Sequence, residues 1–222
     1  MTLRRTRHYI RFLVVDAYES LRAAIVGGEL LPNERLVEAE LVSSLGARRT
    51  AVRAALARLA HEGLVEHERN RGAKVRLIGE REAVEILETR AALEGLIARK
   101  AADKAEAADV EELRGILAEM RARLDSGDLL GSSEPNIRLH AAIQRIADHC
   151  TAARVVSTLN SQLVRFQYRT ILQPGRPETS YAEHEAIVEA IASGDADAAE
   201  AAMLAHLSQV AETLRAAVAA PV

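Results

Sequence analysis

The sequence predicts a mainly α-helical protein of two modules: a winged helix-turn-helix over residues 1–78 and an antiparallel bundle of about six helices over residues 79–222. Three observations carry this. Alanine occurs 42 times in 222 residues against six aromatics, so most of the apolar content is small, helix-favouring side chain. The apolar residues recur at helical spacing everywhere except just after Gly63, where they alternate. The net charge of -3 divides into +5 for residues 1–78 and -8 for the remainder, so a polyanion is attracted by the first module and repelled by the second.

Val14, Tyr18, Leu21 and Ile25 define a first helix from about residue 14 to 26, stopped by Gly27-Gly28. Leu31-Pro32-Asn33 reads as a turn. Leu36, Leu41, Val42 and Leu45 make a second short helix closed by Gly46, and Val52, Leu56 and Leu59 make a third ending before Gly63. Two short helices around a tight Gly turn form a helix-turn-helix, whose second helix suits a major groove. Leu64–Glu68 and Ala73–Leu77 alternate on either side of Asn70-Arg71-Gly72, which predicts a two-stranded wing with Lys74 and Arg76 on one face.

From Glu80 onward the stripes are helical: Ile86, Arg90, Leu93, Ile97; then Leu113, Leu117, Met120, Leu124; then Val156, Leu159, Leu163, Phe166. Two Ser-Gly-Asp triplets, at residues 126–128 and 193–195, place a helix-ending Gly beside an Asp able to cap the next helix. With a Pro-rich loop at residues 174–177, this is the pattern of an antiparallel bundle.

Chemistry-bearing residues fall into three groups. Arg49, Thr50 and Arg53 occupy the first turn and a half of the third helix, where the arginine fork can donate two hydrogen bonds to guanine O6 and N7. His140 shares a face with Asn136 and Ile143, His184 with Val188 and Ile191, and His206 with Ala199, Met203 and Val210, so three imidazoles on separate helices face inward. One inward histidine is ordinary core; three together cost desolvation that a divalent cation, zinc or nickel by ligand type, would repay. No carboxylate lies on those stripes. Arg90, on an apolar stripe, and Arg165 and Arg169, which share a face with Gln162, are candidate clamps for a small carboxylate. The alternative for Arg90 is an i,i+4 ion pair with Glu94, and for the other two a solvated face.

The cluster Arg4, Arg5, Arg7, His8 and Arg11 is either a DNA-contacting arm or a basic terminus. The apolar run after it, Phe12–Val15, is too short for a signal-peptide core, and no later stretch reaches the roughly 20 apolar residues of a membrane span. Cys150 is the sole cysteine, so the expected setting is a reducing one, the cytoplasm.

Leu31-Pro32-Asn33-Glu34-Arg35-Leu36, Leu45-Gly46-Ala47-Arg48-Arg49-Thr50-Ala51-Val52-Arg53-Ala54-Ala55-Leu56, Glu62-Gly63-Leu64-Val65 and Arg71-Gly72 together resemble the DNA-binding domain of the GntR family of bacterial transcription regulators. The resemblance implies operator contacts from Arg35, Arg49, Thr50, Arg53 and the wing glycine Gly72. Arg48 stands where the family usually has Ser or Thr, which removes the side-chain cap and adds a cation suited to a phosphate. Ala51 and Ala54 replace the family's Pro and Glu. Asn136-x-x-Leu139-His140, Glu183-His184-x-x-Ile187 followed by Gly194-Asp195, and Met203-x-x-His206 resemble the FCD ligand-binding domain of the FadR-like branch. That implies a divalent metal held by one Asp and three His beneath an effector cavity. Here Asn136 takes the Asp position, leaving the dication without a compensating charge.

Three functions are consistent with these residues: a regulator whose bundle senses a small organic acid, a DNA-binding protein whose bundle only dimerises, and a three-histidine metalloenzyme. The enzyme lacks a visible general base. One winged module reads few base pairs, so a homodimer on an inverted-repeat DNA operator is expected.

Overall fold

A computed structural model of the chain describes residues 16–68, 72–129 and 131–219; the side chains of residues 68, 164, 165, 167–169 and 217–219 fall outside that description. The basic cluster at residues 4–11 and Arg71 of the wing turn therefore lie outside the described residues, as do the side chains of Arg165 and Arg169. The chain divides into two compact units between Leu77 and Ile78.

In the first unit, α1 (Ala17–Val26) is capped by Asp16, whose Oδ1 accepts from Tyr18 N at 3.1 Å. A strand, β1 (Arg35–Leu36), precedes α2 (Glu38–Leu45), which turns at Gly46 (φ 62°) into α3 (Arg49–His61). The wing strands β2 (Val65–Glu68) and β3 (Gly72–Val75) pair antiparallel from Val65↔Val75 to Glu68↔Gly72.

The sheet has three strands rather than the expected two, in the order β1-β3-β2. Leu36, assigned to a helix by the apolar spacing, is in β1 instead. Asn33 takes a positive φ of 62° and donates to Val75 O at 2.9 Å, while Val75 N donates to Glu34 O at 2.9 Å. Those bonds draw the segment onto the free edge of β3 and drop Leu36 into the core with Leu21, Val52, Leu56, Leu59 and Val75. Satisfying an otherwise open strand edge outweighs starting the helix two residues sooner.

The second unit contains α4 (Glu80–Lys104), α5 (Ala107–Asp125), α6 (Ser133–Ala147), α7 (Cys150–Ile171), α8 (Arg176–Ala192) and α9 (Ala196–Ala219). These are the six expected helices. The long α4 packs against α6, α7, α8 and, most extensively, α9. Gly95 permits that approach, since a Cβ there would lie 3.2 Å from Leu204 Cγ. The two Ser-Gly-Asp triplets part company. Asp195 caps α9 by accepting from Ala198 N at 3.0 Å. Asp128 instead closes a turn onto Gly131 N at 2.9 Å and pairs with Arg123, so α6 starts only at Ser133.

The apolar core of this unit is interrupted. One cluster gathers Ala91, Ile97, Leu139, Ile143, Ile187 and Met203, and a second gathers Ala83, Leu87, Leu163, Ala211 and Leu214. The same unit also buries the polar residues Glu94, Ser161, Arg176, His184 and His206.

Candidate functional site

The DNA-facing candidates are all at the surface. Arg35, Arg48, Arg49, Thr50, Arg53 and Gly72 are exposed, whereas Val52, Leu56 and Leu59 anchor α3 from beneath. Arg48 is the N-cap of α3 and makes no side-chain capping bond, which leaves the helix's first N–H groups and positive dipole end available to an anion. Gly72 opens β3 at φ 88°, a conformation that disfavours any side chain. Glu38 on α2 lies 3.7 Å from Arg49 Nε and 3.4 Å from Arg53 Nε. Both arginines are about 70% exposed (71% and 70%), so these pairs are weak and yield readily to a phosphate or base. Arg58 is engaged differently, lying 3.5 Å over the Tyr18 ring and 3.3 Å from Glu62, and serves the core of the unit.

In the second unit the three inward histidines meet. One ligand nitrogen from each of His140, His184 and His206 lies within 4.8 Å of the others, and the His184 and His206 rings are 4.4 Å apart. Each comes from a different helix, α6, α8 and α9. His184 is 1% exposed and His206 4%. His140 Nδ1 is 2.8 Å from Glu94 Oε2, and His206 Nδ1 is 2.7 Å from Glu183 Oε2. A carboxylate only accepts, so both Nδ1 atoms carry a proton and the bonds to the glutamates leave both Nε2 atoms facing elsewhere. Neither nitrogen of His184 has a hydrogen-bond partner.

Burial, followed by the neighbouring histidines and Arg176, holds the imidazoles of His184 and His206 well below their ordinary pKa, so both are neutral near pH 7. Burial pushes the Glu94 carboxyl up, but Arg90 and His140 overcome this and hold it at about 2. Arg90 Nε donates to Glu94 Oε1 at 2.8 Å, and Nη2 lies 2.8 Å from the same oxygen, so the ion-pair alternative for Arg90 is realised. Burial raises the Glu183 carboxyl against the pull of Arg176, whose Nη2 donates to Glu183 Oε2 at 2.9 Å.

These contacts correct one expectation. Two carboxylates do stand beside the histidines, although neither shares a histidine's stripe. Glu183 is next to His184 in sequence, which turns it about 100° around α8 toward His206 of α9. Arg176 was also missed; it is 7% exposed, and its Nη1 is buried with no partner. Asn136 stands one turn before His140 on α6, partly buried.

The donor set fits a divalent cation. Three converging imidazoles with two Nδ1 atoms fixed by carboxylates match how proteins orient histidine ligands, and the partnerless ring of His184 is an expensive core residue without a ligand.

A winged helix-turn-helix with a cation-studded, exposed third helix, joined to a bundle built around a buried polar cluster, defines a DNA-binding transcriptional regulator. Residues 13–75 match the bacterial regulatory proteins of the gntR family, and residues 85–209 match the FCD domain. Among relatives, the "Probable D-xylose utilization operon transcriptional repressor" of Paenarthrobacter nicotinovorans is 31% identical over 188 residues, covering 83% of this chain and 80% of the relative. The regulator LutR of Bacillus subtilis is 29% identical over 211 residues, covering 86% and 95%. The solved E. coli McbR/YncC superposes with a TM-score of 0.73 at 20% identity over 90% of this chain and 95% of that one, a likeness of fold. The chain belongs to the GntR family of bacterial transcription regulators, with an FCD domain as its second module. It is a regulator and not an enzyme. Among the described residues no helix is long and apolar enough to cross a membrane.

Proposed function

We propose that the chain is an effector-controlled regulator whose operator binding is set by a small organic acid recognised over a divalent cation, zinc or nickel, in the second unit. His140, His184 and His206 would hold the cation, with Asn136 beside them. When bound, the cation supplies positive charge and open coordination positions for a carboxylate. Glu94 and Glu183 keep the His140 and His206 rings in the ligating tautomer. Arg35, Arg48, Arg49, Thr50, Arg53 and Gly72 would meet one half of an inverted repeat, and a homodimer would cover both halves. Arg165 and Arg169 remain candidate effector contacts.

The observation that carries this reading is the convergence of three buried imidazoles, one with both nitrogens unpartnered. Elemental analysis of full-length protein purified without chelator should show about one zinc or nickel per chain, lost in His140→Ala. Operator binding in gel shift should then respond to a small carboxylate in the wild type alone. Metal-free protein after saturation with both ions, with His140→Ala indistinguishable from wild type, refutes it.

A further inference from the structure

Arg176 is the least explained residue of the second unit. It begins α8, directly after Gly175, which turns the chain at φ 77°. An arginine in a Pro-Gly-Arg-Pro turn ordinarily points to water, yet this one is 7% exposed. Its Nη2 donates to Glu183 Oε2, seven residues on along α8, at 2.9 Å. The same oxygen lies 2.7 Å from His206 Nδ1. Nη1 is buried and donates to nothing.

A guanidinium stays charged at any physiological pH, and a buried N–H of such a group left unpaired is costly. Glu183 already neutralises the side chain, so ion pairing alone does not require Nη1 to be enclosed as well. The free edge of the fork is what a second carboxylate would occupy. Arg90 differs in that none of its nitrogens is both buried and unpartnered, and its Nε and Nη2 both lie 2.8 Å from Glu94 Oε1.

We infer that Arg176 is the anion-recognising residue of the effector site, donating from Nη1 to a carboxylate of the bound acid. This rests on the proposed reading of the second unit as an acid sensor. Its consequence is a direct link: the effector's anion and a metal-ligating histidine share Glu183 through Arg176 Nη2 and His206 Nδ1. An acid that pulls on Arg176 therefore alters the bond that orients His206.

The test uses the full chain and three acids as probes, acetate, L-lactate and citrate, each beside its uncharged amide. Affinities are measured by calorimetry in zinc and again in chelator. Wild type should bind at least one acid and none of the amides comparably. Arg176→Gln should weaken that acid at least tenfold while zinc affinity changes by less than that. Because Arg176→Gln strands the Glu183 carboxylate, the double variant Arg176→Gln/Glu183→Gln, which removes both charges, is run alongside and should lose the acid equally. Arg176→Lys, which keeps the charge but not the planar fork, should fall between. Wild type that binds none of the acids, or variants that retain the acid at wild-type affinity, overturns the inference. Failure of zinc to bind the wild type is a separate result: it sinks the metal reading, while the chelator measurements still decide the role of Arg176.

Discussion

Replacing His184 with leucine separates a ligand from a core residue, because the two roles predict opposite signs. His184 is 1% exposed, on the same helix face as Val188 and Ile191, and neither ring nitrogen has a hydrogen-bond partner. A neutral imidazole buried this way leaves one donor and one acceptor unsatisfied, each at a cost of about 1–3 kcal/mol. Leucine has a similar volume and no polar atoms, so the substitution removes that cost and adds a packing mismatch of less than about 1.5 kcal/mol. The net expectation is a metal-free variant more stable than wild type by about 2 kcal/mol, which for a chain of this size is roughly 4–8 °C in Tm. Zinc at about 100 times its Kd would stabilise wild type by about 2.7 kcal/mol and leave the variant unmoved. The order of stability thus inverts between chelator and zinc. Thermal unfolding followed by circular dichroism in both conditions reads this directly. A variant less stable than wild type in chelator, with an unchanged zinc response, would show that His184 is a satisfied packing residue and would refute the reasoning.

Glu94→Gln should lower metal affinity 10–100-fold by calorimetry, because His140 loses the carboxylate that orients it. The same change leaves Arg90 in a nearly buried site without its counter-ion and should destabilise the fold by about 3–5 kcal/mol in denaturant titration; a neutral outcome would contradict the pairing seen here. On the DNA side, Arg53→Ala should cost about 1–3 kcal/mol of operator binding and relax sequence preference, measured by fluorescence anisotropy on operator variants. Arg48→Ala should leave preference intact and reduce the salt slope of binding by about one, and an unchanged slope would remove Arg48 from the phosphate contacts.

What the sequence made legible, and what it hid, follows from the range of each interaction. The histidine stripes were readable because each is a property of one helix's own spacing, and His140, His184 and His206 do converge. The Arg90–Glu94 pair was open as an alternative for the same reason, being i,i+4 on α4. Glu183 and Arg176 were not readable. Their roles depend on which face of α8 meets α9, and Arg176 on how a turn at Gly175 launches the helix, neither of which has a periodic signature. Leu36 had the right spacing for a helix and the wrong neighbours, since β3 offered it a strand edge 37 residues later in the Leu36↔Ala73 pair. The identical triplets at Asp128 and Asp195 diverged because Asp128 found Gly131 and Arg123, while Asp195 met the start of α9.

The electrostatics of the buried layer bear on the proposed acid effector. Asn136 brings no charge, which by itself would leave a bound dication uncompensated. Glu94 and Glu183 could have made up the difference, but each is matched by its own guanidinium, Arg90 and Arg176, within hydrogen-bonding distance. Each carboxylate is thus paired with its own arginine before any cation arrives. Orientation and charge compensation are therefore divided: the glutamates fix the rings, and the arginines cancel the glutamates. A dication entering such a layer carries its full charge into a low-dielectric interior, where the attraction for an anionic ligand is far stronger than at the surface. An Asp at position 136 would relieve part of that demand. Asn136→Asp should accordingly tighten zinc binding and weaken the carboxylate in the same calorimetric series, whereas a gain in affinity for both would mean that charge is not what couples them.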